Sequence, residues 1–271
     1  MNFSAAFRIF FLFSVAAPGF TFAQNPSVDT GGIINAASFV PGQPVAPGSI
    51  VAIFGKQLAS GLTQADSVPW STSRNNVSVS FNGVAAPIQF VSPTQINAQV
   101  PWEVLATGTG TATVVVNNNG ATSAASTVVV NPIVPGVFQF SGHGLAVNVT
   151  DPTSARYGTI AAPAGSIAGL TTFPAQVNDF LFFYATGLGP LDSPVQDGHD
   201  SSDKIRNVVT VPTVLVGNAP AKVLFAGLSP GYPGIYQVNI SVPQVAAGSA
   251  VAFQVQSGGF TSPDTTTIAI Q

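Results

Sequence analysis

Apolar and polar residues alternate along this chain in short runs that end at turns. In Gln95-Ile96-Asn97-Ala98-Gln99-Val100, the residues Ile96, Ala98 and Val100 fall on one side and Gln95, Asn97 and Gln99 on the other, and Pro101 ends the run. A period of two is the signature of a half-buried strand. The pattern returns as Gln237-Val238-Asn239-Ile240-Ser241-Val242 before Pro243. No segment sustains a helical period. Around the first copy, strands are expected at 33–39, 49–55, 77–81, 85–90, 95–100, 111–117 and 127–131. Around the second they are expected at 145–149, 177–184, 211–216, 221–225, 236–242, 250–256 and 265–270. Residues 25–30 read as a polar lead-in and 58–75 as a long loop. Asn82-Gly83 and Gly217-Asn218 stand at corresponding places between paired runs, and such residues tolerate the positive φ of tight hairpins. The repeated order predicts one duplicated all-β unit, each copy a sandwich or barrel of short strands.

The two units are expected at 31–131 and 137–271. Between them, Asn131-Pro132-Ile133-Val134-Pro135-Gly136 holds two prolines, which stiffen a linker and restrict the orientation of its ends. At the other end of the chain, Arg8 precedes the apolar run Ile9–Ala17, followed by Pro18-Gly19 and Thr21-Phe22-Ala23. This is the layout of a secretory signal peptide over 1–23, cut after Ala23. The run is about half of the ~20 residues a membrane-spanning helix needs. No later segment is long and apolar enough to span, so the mature chain is expected to be secreted or at the cell surface without a transmembrane segment.

Composition narrows the chemistry. Hydrophobic residues make up 46% of the 271 and charged residues only 6%, against an ordinary charged share of roughly 25%. Apolar material is ample and charge repulsion slight, so disorder is disfavoured. Val, Ile, Thr and Phe abound while Glu and Lys are scarce, which favours strands. The seven Lys and Arg are scattered and the net charge is −3. A nucleic-acid partner needs clustered cations to displace counterions, so that function is set aside. With no cysteine, disulfides, thiol catalysis and Cys-ligated metals are excluded.

Several stretches taken together resemble a known family. They are Gly32-Ile33-Ile34-Asn35-Ala36-Ala37-Ser38-Phe39, Pro47-Gly48-Ser49-Ile50-Val51-Ala52-Ile53-Phe54-Gly55, Gln95–Trp102, Tyr184-Ala185-Thr186-Gly187-Leu188-Gly189-Pro190 and Leu224-Phe225-Ala226-Gly227-Leu228. They are similar to the secreted bacterial "Solibacter C-terminal domain" family, whose halves resemble IPT/TIG immunoglobulin-like domains. The resemblance covers nearly all of the mature chain. It implies two tandem immunoglobulin-like β-sandwiches, an extracellular setting and no known activity, so no catalytic residue is carried over. The chain departs from the pattern at Val177-Asn178-Asp179 and in the acidic loop Asp192–Lys204.

No catalytic set is legible. Gly227-Leu228-Ser229-Pro230-Gly231 has the outline of a nucleophile elbow, but the residue after the serine must lend its N–H to an oxyanion, and Pro230 has none. The two histidines, His143 and His199, fall in polar loops away from any elbow. Glu103 is the only glutamate, which excludes a Glu pair for glycoside hydrolysis. Asp192, Asp197, Asp200 and Asp203 crowd one loop. Clustered carboxylates suit calcium, and Asp197, Asp200 and Asp203 are its candidate ligands, although a solvated acidic loop is the simpler reading. Gln95, Asn97, Gln99, Gln237 and Asn239 form amide rows that could hydrogen-bond sugar hydroxyls, with Trp70 as a stacking residue in the long loop; Trp102, at a strand end, reads as core-edge packing. The expected function is therefore a non-enzymatic secreted or cell-surface protein with a structural, adhesion or spacer role. The alternative is a carbohydrate-binding module. Partners would be an extracellular polysaccharide or protein, and no cofactor is expected beyond the calcium candidate.

Overall fold

A computed structural model describes residues 25–106, 108–263 and 266–271. The expected signal at 1–23 lies outside the described residues, as does the start of the strand expected at 265–270. Every regular element among the described residues is a strand, and no helix is long and apolar enough to cross a membrane.

In the first half, one sheet runs in the order Ser27–Asn35, Ile50–Lys56, Gln95–Gln99, Ile88–Val91 and Thr63–Gln64. In the facing sheet, Gly110–Asn118 pairs with Val77–Phe81 and with Ser126–Val130. The alternation read in the sequence puts Ile53, Val79, Phe81, Ile88, Ile96, Val114 and Val116 into one buried core. Three expectations are corrected. The stretch 58–75, expected as a loop, contributes two short strands, Thr63–Gln64 and Ser73–Arg74. The first strand starts within the supposed polar lead-in, at Ser27, and stops at Asn35 rather than at residue 39. It stops there because Asn35 Oδ1 accepts the N–H groups of Ala37 (2.9 Å) and Ser38 (3.3 Å), an Asx turn that replaces ladder pairing. The strand expected at 85–90 is two pieces, Val84–Ala85 and Ile88–Val91, in different sheets. Pro87 separates them, because it has no N–H for either ladder.

The second half carries no such break. Ala219–Leu228 runs continuously, pairing first with Thr213–Val216 and then, from Lys222 onward, with Tyr236–Ser241. One strand thus joins both sheets into a single hydrogen-bonded path around Leu181, Phe183, Val216, Val238, Ile240, Phe253 and Val255. Phe183 and Phe253 meet edge to face at 4.8 Å. The strand expected at 177–184 begins only at Phe180. The preceding turn is held by the buried Asp179, whose Oδ2 accepts from Gln176 N (2.8 Å) and Asn148 Nδ2 (2.7 Å).

Register shows the duplication. Phe54 pairs with Gln95 as Tyr184 pairs with Gln237, and Phe90 pairs with Asn97 as Phe225 pairs with Asn239. Each copy bulges at the same place, between Ile88 and Phe90 and between Val223 and Phe225. The extra residue is Gln89 in one and Leu224 in the other. Val116 N donates to Ser123 Oγ (3.0 Å) as Val255 N donates to Ser262 Oγ (2.9 Å).

The halves meet through a buried junction, and the linker is part of it. Ile133 and Val134 are buried, Asn35 Nδ2 donates to Val134 O (3.3 Å), and Val134 N donates to Gly187 O (2.9 Å). Gly187 has a φ of +76°, and a Cβ there would collide with Val134 O, so both its backbone angle and its packing demand glycine. Deeper in, Ile50 N donates to Thr186 Oγ1 (2.9 Å), whose hydroxyl donates to Gly234 O (2.7 Å).

Candidate functional site

The acidic loop is where the chain does something the alternation does not announce. It folds back on the first half and clasps it. Gly198 N donates to Gln99 Oε1 at 2.6 Å, Trp70 N donates to Gly198 O at 2.9 Å, and Trp102 N donates to Asp197 Oδ1 at 3.0 Å. Gln99 Nε2 reaches Gly48 O at 3.3 Å. Trp102, from the first half, packs against the core of the second and lies over Gly48, which has no side chain to obstruct it.

These contacts correct three sequence expectations. Gln99 does lie on the face opposite Ile96 and Ala98, but it is wholly buried. Trp70 is buried among Ile34, Ala36, Ile50 and Ala52, with Ile235 of the second half against that cluster, so its indole is not offered to a sugar in solvent. The three candidate calcium ligands do not converge. Asp197 turns to Trp102. Asp200 accepts from Ser202 Oγ (2.5 Å) and from Gly231 N. Asp203 forms a two-pronged pair with Arg206, at 2.6 and 2.9 Å. Among the described residues no three His, Asp or Glu side chains are grouped to hold a metal.

The environments of the carboxyls differ accordingly. Burial, reinforced by the nearby Glu103 and opposed by the Trp102 N–H, pushes Asp197 up to about 6. Arg206 holds Asp203 down to about 2. Burial would raise Asp200, but hydrogen bonds from Ser202 and Gly231 outweigh it and leave the group below its ordinary value. Beside the clasp, a cleft of about 470 Å³ is lined by Val68, Pro69, His199, Asp200, Asp203 and Arg206. Ser202 and His199 both line it, but the Ser202 hydroxyl donates to Asp200 Oδ2 (2.5 Å) and His199 Nδ1 lies 3.2 Å from Asp197 O. Ser229 is buried, and its hydroxyl donates to Pro230 O (3.2 Å). His143 is in a different part of the second half, 3.4 Å from Thr267 Oγ1.

The remaining amide candidates sit on half-buried outer faces. Gln95 Nε2 donates to Asn97 Oδ1, and Gln237 Nε2 to Asn239 Oδ1, both at 2.8 Å. In the first half Asn97 Nδ2 also donates to Gln89 Oε1 (3.2 Å). In the second half the amides lie between Phe182 and Tyr184 on one neighbouring strand and Phe225 on the other. Phe182 and Tyr184 meet at 5.6 Å, and Tyr184 meets Tyr232 at 6.0 Å. The sequence reading missed these aromatics and the clasp alike. The alternation of Phe180, Phe182 and Tyr184 was a visible signal for the former. For the latter, only a glycine inside an acidic loop was available.

The family comparison agrees with the fold of the first half. Residues 35–130 match the IPT/TIG domain family, and the chain is an all-β protein of tandem immunoglobulin-like sandwiches. No curated protein matches the chain. Among solved structures, the D00-D0 domain of Intimin aligns at 11% identity over 85% of this chain and 96% of its own, with a TM-score of 0.21. An endo-fucoidan hydrolase of glycoside hydrolase family 107 aligns at 15% identity over 90% of this chain and 29% of its own, with a TM-score of 0.17. Scores so low give neither likeness any bearing on function.

Proposed function

We propose that this is a non-enzymatic secreted or cell-surface protein whose paired immunoglobulin-like sandwiches act as one stiff spacer in an adhesive or structural assembly. The observation that carries this reading is the junction. A flexible two-domain tether leaves its linker in water, whereas here residues 133–136 of the linker are buried and hydrogen bonds tie Asn35, Ile50, Gln99 and Trp102 to groups from the linker or the far side. Two sandwiches held in this way transmit position and force as a unit, which is what a spacer must do. Relative domain motion is the default for weakly joined domains, so stiffness is the property to test. Small-angle scattering of the mature chain should give one compact, salt-independent distance distribution that matches a single fixed arrangement. A broad distribution requiring several domain orientations would overturn the spacer reading. Turnover of ester, peptide or glycoside substrates by the pure protein would overturn the non-enzymatic part.

A further inference from the structure

We propose that the outer sheet face of the second sandwich, together with the cleft that Tyr232 shares with the first, binds a neutral polysaccharide chain. The face is built from three cross-strand rows. Phe180, Ser241 and Lys222 form one row, Phe182, Asn239 and Phe225 the next, and Tyr184, Gln237 and Gly227 the third. Phe182, Tyr184 and Tyr232 therefore follow one another across the face, and Tyr232 is half exposed. Aromatic rings with one apolar face and a polar tip suit a ligand that is itself apolar on its ring faces and polar at its rim.

Hydrogen-bonding capacity is left open beside these rings. Gln237 Nε2 donates to Asn239 Oδ1, while Gln237 Oε1 and Asn239 Nδ2 have no partner among the described residues. One free acceptor and one free donor side by side match hydroxyls, each of which both donates and accepts. The first sandwich makes the contrast. There Gln89, the bulged residue, takes up Asn97 Nδ2. At the equivalent bulge the second sandwich has Leu224, 47% exposed, which can accept nothing. The same amide pair is closed in one copy and open in the other.

The face continues into the established domain junction. Tyr232 also lines a cleft of about 240 Å³ with Gln89, Asp66, Gly231 and the small exposed part of the buried Trp70. That is below the ~300–1,000 Å³ of pockets for drug-sized ligands and has room for a single sugar ring at the end of a chain. Charge selects among polysaccharides. The rows carry one charged side chain, Lys222 at the far margin, and the cleft carries one, Asp66. A sulfated or uronate-rich polymer would find no cationic track, so the complementary occupant is uncharged. The cross-strand rows lie wholly within the second sandwich and do not depend on the spacer reading, whereas the cleft joins Tyr232 to Asp66 and Gln89 of the first sandwich and rests on the fixed junction. A broad scattering distribution would remove the cleft alone, and the gels test the rows separately.

The test is affinity electrophoresis of the full chain in native gels containing soluble xyloglucan, glucomannan or, as a charged probe, alginate. Retardation is expected in at least one neutral gel and not in alginate. Tyr184→Ala and Tyr232→Ala should each weaken it tenfold or more in a protein whose circular dichroism stays native, whereas Phe39→Ala, at an exposed aromatic of the first sandwich, should not. Leu224→Gln should rebuild the closed amide arrangement and weaken retardation in a fully folded protein. Lack of retardation in both neutral gels, retardation by alginate alone, or wild-type retardation of the Tyr184 and Tyr232 variants would each overturn the proposal.

Discussion

Replacing Gln99 by alanine isolates the clasp from the strand that carries it. The side chain is wholly buried and makes two hydrogen bonds across the junction region, from Gly198 N at 2.6 Å and to Gly48 O at 3.3 Å. Truncation leaves a buried N–H and a buried carbonyl without partners, and an unsatisfied buried group costs about 1–3 kcal/mol. Part of that is recovered if water enters the void, so a total loss of about 2–4 kcal/mol is expected. Gln95 provides the internal control, because it is on the same strand and face but half exposed, with Asn97 as its partner. Gln95→Ala should cost less than about 1 kcal/mol. Urea unfolding followed by tryptophan fluorescence and by circular dichroism reads both effects, since Trp70 and Trp102 lie at the clasp. In Gln99→Ala the fluorescence transition should fall to lower urea than the dichroism transition, because the junction opens before the sheets melt. A Gln99→Ala variant that loses no more than Gln95→Ala, with coincident transitions, would show that the loop merely rests on the first sandwich.

Two further outcomes follow from the acidic loop. Asp197 has a folded pKa near 6 against an ordinary 3.8, so the folded protein takes up this proton first; the stability it contributes is fully present below pH 3.8 and is lost as the pH rises through 6. The gap corresponds to about 3 kcal/mol, which solvent screening at this half-buried group reduces to roughly 1 kcal/mol. Asp197→Asn keeps an acceptor for Trp102 N–H without the charge, and should stabilise the protein by roughly that amount at pH 8 and by little at pH 4; a stability difference independent of pH would refute the assignment. Calcium should leave the melting temperature unchanged, because Asp200 and Asp203 are engaged by Ser202, Gly231 and Arg206. A site saturated at ~100 times its dissociation constant would add about 2.7 kcal/mol, and a rise of that size, reversed by chelator, would restore the loop as a metal site.

The sequence alone determined the principal strands and their inward faces, and it pointed to the duplication. Alternation is written into neighbouring residues: side chains in a strand point to opposite sides whatever else the chain does, so Ile96 and Ala98, or Val238 and Ile240, had one side to go to. Turn chemistry at Asn82-Gly83 is equally local. Even the failures of boundary at Asn35 and Pro87 trace to residues whose local bonding could have been read. What only the tertiary structure decided is which polar residues remain open. Gln95, Asn97 and Gln99 are indistinguishable by pattern, yet Gln99 is buried and the others are not, because a loop 99 residues away in the chain lands on that end of the strand. Trp70 and the aspartates were misplaced for the same reason. Periodicity records what a residue's own strand does with it, while burial of a polar side chain depends on what arrives from elsewhere, and that arrival is fixed by the packing of two whole sandwiches rather than by any short run of sequence.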